Sequence, residues 1–157
     1  VMRLHGYRMP YQPQFGTTGG AECVSGAPNE IWSYGDRVYE ICKKYIEIRE
    51  GMRPYIRTLM EAAHEKGTPV MRPLFYDFPD DKRCWEDEEA YLFGPNVLVA
   101  PVMEREQARK TVYLPAGAKW TDVWSKEVFE GGQTVTVNTP LDQIPLFTRN
   151  GFELRVS

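Results

Sequence analysis

Few residues in this chain are of a type and spacing to do chemistry. Among its 157 residues are two histidines, His5 and His64, and three cysteines, Cys23, Cys42 and Cys84. His5 lies in the basic stretch Arg3-Leu4-His5-Gly6, with Arg8 close behind. An imidazole in a polar loop can donate to or accept from a hydroxyl. The residues alone leave two readings open: a hydrogen-bonded structural histidine, and a histidine that faces a ligand. His64 precedes Glu65, but Thr68 stands where a zinc protease helix needs its second histidine. His64 therefore reads as a helix-end group, well placed against the helix dipole when protonated. The cysteines are odd in number and widely spaced. They form neither CxxC nor a zinc-ligand spacing and read as free thiols.

Carboxylates cluster in DFPDDKRCWEDEEAY, residues 77–91. Paired carboxylates can carry acid–base chemistry, but charge runs are usually solvated. Asp80, Asp81, Glu86, Asp87, Glu88 and Glu89 are read as surface groups. Asp77 follows an apolar run and is read as structural or helix-capping. The glycine-rich GTTGGAECVSG lacks the Lys-Ser/Thr ending and the strand–helix context of a phosphate loop. It reads as a surface loop.

These residues must be held by something, and the chain has three kinds of segment to do it. Residues 1–35 carry glycine and proline throughout and show no sustained period, so they read as loop. From Asp36, a potential cap, apolar residues recur at three- and four-residue steps through Val38, Ile41, Tyr45, Ile48, Met52, Tyr55, Leu59 and Ala63. That is one face of a helix. Gly67 and Pro69 end it. Gly51 and Pro54 interrupt it, which predicts one bent helix or two nearly continuous ones over 36–66. TPVMRPLFYDFP then reads as a buried strand, over 69–78. From residue 90, short β-rich runs separated by GPN, PAG, GG, NTP and RNG predict an antiparallel sandwich. The predicted fold class is α/β plus all-β, with the tail of an α/β domain over residues 1–85 and a β-sandwich over 86–157.

Composition narrows the partners. The chain is 42% hydrophobic and 26% charged, as in globular proteins, with a net charge of -3. That charge argues against nucleic-acid binding, and no apolar run reaches the roughly 20 residues a membrane span needs. Aromatics make up 13%, which suits a packed core and also suits stacking on sugars.

Several stretches together resemble glycoside hydrolase family 31, the α-glucosidases and α-xylosidases. They are MRLHG, NEIWSYG, RPYI, GTPVMRPLF, FPDD, FGPNVLVAPV, VYLPAG and IPLFTRNG, which occur in the family's order over nearly the whole chain. The resemblance implies the end of a (β/α)8 catalytic barrel: the loop after the seventh strand, a helix, and the eighth strand at 69–78. A proximal C-terminal β-sandwich would follow. It implies that His5 lines the subsite of the sugar that is cleaved off, with Arg3 supporting the same wall. It also implies an α-linked oligosaccharide as substrate and no metal or organic cofactor.

The family's catalytic pair, two aspartates on earlier barrel strands, matches nothing here. Asp77 and Asp81 do not fill that gap. A whole barrel takes about 250 residues, so the resemblance implies a C-terminal fragment, inactive alone, whose partner is the N-terminal part of the same enzyme. The segment YQPQFGTTGGAECVSGAP is longer than the family's loop at this place. The alternative reading is a non-catalytic carbohydrate-binding or structural β-sandwich module, with Trp120 or Trp124 exposed to stack on sugar.

Overall fold

A computed structural model describes residues 31–154 of the chain. The chain divides into two compact units, one ending at Gly51 and one starting at Met52. In the first, a 3-10 turn over Ile31–Tyr34 leads through Gly35 into helix α1, Asp36–Gly51. Asp36 lies in its first turn and Arg49 in its last, each with the charge that the helix dipole favours at that end.

The second unit opens with helix α2, Arg53–Lys66. Two helices thus occupy the segment for which one bent or two nearly continuous helices are predicted. Pro54 falls in the first turn of α2, where its missing N–H breaks no helical bond. Gly67 closes α2 in the left-handed region at φ 68°, donating its N–H to the Ala63 carbonyl at 3.1 Å.

The strand expected over 69–78 is corrected to three residues. Strand β1 covers Met71–Pro73, and the chain then turns into a one-turn helix, α3, Leu74–Asp77. After β1, which pairs antiparallel with Tyr91–Phe93, the Phe78 N–H donates to the Leu74 carbonyl at 3.1 Å and closes one helical turn, across which the buried Arg72 meets the Asp77 carboxylate at 3.1 Å. A second short helix, α4, spans Arg83–Glu86.

Seven further strands follow: β2 Tyr91–Phe93, β3 Val97–Val99, β4 Arg109–Leu114, β5 Lys119–Asp122, β6 Val128–Glu130, β7 Gln133–Asn138 and β8 Leu146–Arg149. One sheet has the order β1-β2-β3-β8-β5-β6, and β4 and β7 form a second. All pairings among the described residues are antiparallel.

Period-two alternation decides what each face buries. Leu92 and Leu98 point to one side, into a cluster with Leu74, Phe78, Cys84, Trp120 and Phe147. Val112 and Leu114 of β4 join this cluster, with Val135 and Val137 of β7 packed against it, so both sheets share one core. Phe93 and Val97 point the other way and pack with Leu59, Tyr55 and Ile56 of α2. There Gly94 is obligatory. Its φ is +60°, and a Cβ would lie 2.3 Å from the Tyr55 hydroxyl oxygen and 2.6 Å from a Leu59 methyl.

Candidate functional site

His5 and Arg3, the residues expected to touch a sugar, lie outside the described residues, as does Cys23. The described residues show what stands around the other sequence-singled groups.

Asp77 is structural, as read. Arg72 donates from Nη1 to both of its carboxylate oxygens, at 3.1 and 3.3 Å, and from Nε to the Pro69 carbonyl at 3.0 Å. The guanidinium also sits 5.1 Å from the centre of the Tyr76 ring. A carboxylate so occupied is a poor nucleophile.

Asp81 is no free surface charge, and this corrects the sequence reading. One oxygen accepts from the Tyr113 hydroxyl at 2.7 Å and from the Ala116 N–H at 3.0 Å, and the other from the Arg83 N–H at 3.2 Å. Partial burial pushes its pKa up, but these bonds and one from the Cys84 thiol outweigh burial and hold the carboxyl below its ordinary range. A general acid needs the reverse shift. The partners move accordingly. Burial, and then the bond to Asp81, pushes the Tyr113 hydroxyl up to about 12. Burial, and then the Asp81 charge, pushes the Cys84 thiol up to about 12, which leaves an inert core thiol.

Asp87 is also committed, its Oδ1 accepting from the Ala90 N–H at 2.8 Å and from the Glu89 N–H at 3.1 Å. Glu89 pairs with Lys110, whose side chain is only 6% exposed. Asp80, Glu86 and Glu88 are exposed, as expected. An open recess of about 410 Å3 lies among Arg83, Glu86, Glu88, Glu89, Tyr113 and Thr134. Arg83 closes part of it, stacking 5.0 Å from the Tyr113 ring centre and donating to Thr134 Oγ1 at 3.3 Å. No group of three metal-ligating side chains occurs among the described residues, and no described helix is long and apolar enough to cross a membrane.

The tryptophans divide sharply. Trp120 is fully buried, with Nε1 donating to the Pro115 carbonyl at 3.0 Å. It cannot meet a sugar, which removes half of the carbohydrate-module alternative. Trp124 is half-buried and donates to the Ile144 carbonyl at 2.7 Å. Trp85, not singled out from sequence, is 59% exposed. The missed signal was a turn: Asp81 Oδ1 accepts the Arg83 N–H two residues on, an Asx turn that leads into α4.

Residues 67–152 match the model of the glycosyl hydrolase family 31 C-terminal domain. The chain belongs to glycosyl hydrolase family 31. Alpha-glucosidase 2 of Bacillus thermoamyloliquefaciens is 42% identical over 122 residues, 78% of this chain and 15% of that protein. Alpha-xylosidase of Saccharolobus solfataricus is 40% identical over 124 residues, 79% of this chain and 17% of that protein. Among solved structures, a family 31 alpha-xylosidase from a soil metagenome, complexed with xylose, matches with a TM-score of 0.84 at 46% identity. That match covers 98% of this chain and 23% of the xylosidase. The chain therefore spans less than a quarter of the length of these relatives, and its mixture of helices with antiparallel sheet is that of family 31 structures.

Proposed function

We propose that this chain is the C-terminal part of a retaining α-glycosidase that removes terminal α-linked glucose or xylose from oligosaccharides. The observation that carries the reading is the likeness, over 98% of the chain at a TM-score of 0.84, to an alpha-xylosidase holding xylose. Residues up to 66 are the end of the catalytic (β/α)8 barrel, and residues from 67 on, where the family's C-terminal-domain model begins and β1 pairs antiparallel with β2 in the six-stranded sheet, form the proximal β-sandwich. The nucleophile and acid/base aspartates come from the enzyme's N-terminal part, which is this chain's partner.

In such an enzyme the nucleophile attacks the anomeric carbon while the acid protonates the leaving oxygen. Water then releases the sugar from the covalent intermediate with net retention. The two carboxyl groups stand about 5–5.5 Å apart, and neither step needs a metal or an organic cofactor. His5, with Arg3 beside it, hydrogen-bonds hydroxyls of the sugar at the cleavage point. Those bonds strengthen as the ring flattens toward an oxocarbenium ion. The described carboxylates fit this division of labour. Asp77 is ion-paired with Arg72, and the carboxylate of Asp81 is occupied by donors.

The test is hydrolysis of aryl α-xylosides and α-glucosides. The pure chain should release no aryl alcohol, while the polypeptide extended through the earlier barrel strands should. In that longer enzyme His5→Ala should lower kcat/KM by about 100-fold, the loss of one transition-state hydrogen bond. Turnover by the pure chain, abolished by a single Asp or Glu substitution, would end the proposal.

A further inference from the structure

Trp85 lies on α4 with more than half of its surface in water, yet its ring is fixed from two directions. It stacks nearly parallel on Phe75, the centroids 4.4 Å apart and the planes 12° from parallel. Its Nε1–H donates to the Pro79 carbonyl at 2.8 Å. Phe75 itself packs against the core cluster that contains Leu74 and Phe78. One face of the indole is therefore backed by the core, and its polar edge is satisfied within the loop. What remains for a ligand is ring surface, already held in place.

We propose that Trp85 is a stacking platform for one pyranose unit of an α-linked oligosaccharide. The C–H bonds on one face of a pyranose carry slight positive charge and meet the negative face of the indole. The neighbours in sequence, Lys82, Arg83 and Glu86, are all exposed. Lys82 and Glu86 add a donor and acceptors to this short exposed segment, while the Arg83 guanidinium is engaged with Tyr113 and Thr134. Because the indole is already immobilised, binding does not have to freeze its rotamer. A protein partner fits less well. Protein interfaces use contiguous apolar surface of several hundred Å2 per partner, whereas the exposed sequence neighbours of Trp85, Lys82, Arg83 and Glu86, are charged. The ligand class rests on the α-glycosidase reading, but the experiment reads binding alone, so its failure is separate from a failure of hydrolysis.

The experiment is saturation-transfer NMR on the 157-residue chain with isomaltotriose and maltotriose. Expected are saturable, millimolar binding with transfer concentrated on the C–H protons of one ring face, and a loss of about tenfold or more in Trp85→Ala. Trp124→Ala should leave binding unchanged. A cooperative melt certifies each variant as folded. Should Trp85→Ala fail to fold, the indole N–H signals of the wild type decide, assigned with Trp85→Phe. A sugar-dependent shift confined to Trp85 supports the platform, and a shift elsewhere or none overturns it. Undiminished transfer in folded Trp85→Ala also overturns it. So does self-association of the wild type that Trp85→Ala abolishes, because Trp85 would then be a contact between copies of the chain.

Discussion

The two faces of β2 and β3 are buried by different means. On one face the β4–β7 pair closes over Leu92 and Leu98, and Trp120 and Phe147 sit between the layers without exposure. On the other, helix α2 covers Phe93 and Val97 with Leu59 as its one buried side chain, helped at the edge by Phe152 and Leu154. Met60, one residue along the same helix, is 57% exposed. The first face is a closed core. The second is a thin seam that depends on how closely one helix approaches, which Gly94 permits. Stability in this unit should accordingly be lost in unequal steps.

Trp120→Ala should have the largest effect. It empties the middle of the closed core and orphans the Pro115 carbonyl, and a loss of about 3–5 kcal/mol is expected by chemical denaturation. Leu59→Ala cuts into the thin seam and should cost about 2–3 kcal/mol, within the range for buried leucines. If Leu59→Ala costs as much as Trp120→Ala, the comparison of the two faces breaks.

The smallest effect sharpens it. Asp81 lies at the rim of the closed core, between α4 and the end of β4. Its folded pKa is depressed, so it stabilises the fold above its unfolded pKa of about 3.9 and loses that contribution as pH falls through the folded value. Asp81→Asn should flatten the acid limb of a pH–stability curve, and leave the fold otherwise intact. Tyr113 acts at the opposite end. Its raised pKa means its contribution is complete below pH about 10 and fades as pH approaches about 12.

Much of the architecture was legible because it is local. The helix break at Gly51–Pro54, the stop at Gly67, and the alternation of Thr134, Val135, Thr136 and Val137 in β7 all follow from backbone preference and period. The strand expected over 69–78 was too long because the apolar run continues through a turn of helix that buries Leu74 and Phe78 in the core, and periodicity over so few residues does not tell a strand from a buried helical turn. The acidic run was read as solvated because its charges are counted alike in sequence. Only folding brings the Tyr113 hydroxyl and the Ala116 N–H, more than thirty positions away, onto Asp81. Family membership was legible in short motifs such as GTPVMRPLF and IPLFTRNG, and the residues matching the family model bear it out.

By itself, the sequence determined the family, the helical segment over 36–66 with its break, the β-rich character from residue 90, and the existence of an aromatic core, because propensity and period act between neighbours in the chain. Which tryptophan is core and which is surface was decided only in three dimensions. Trp85 and Trp120 are chemically the same side chain. One lies between two sheets and the other on a helix of a single turn, and burial is a property of that placement.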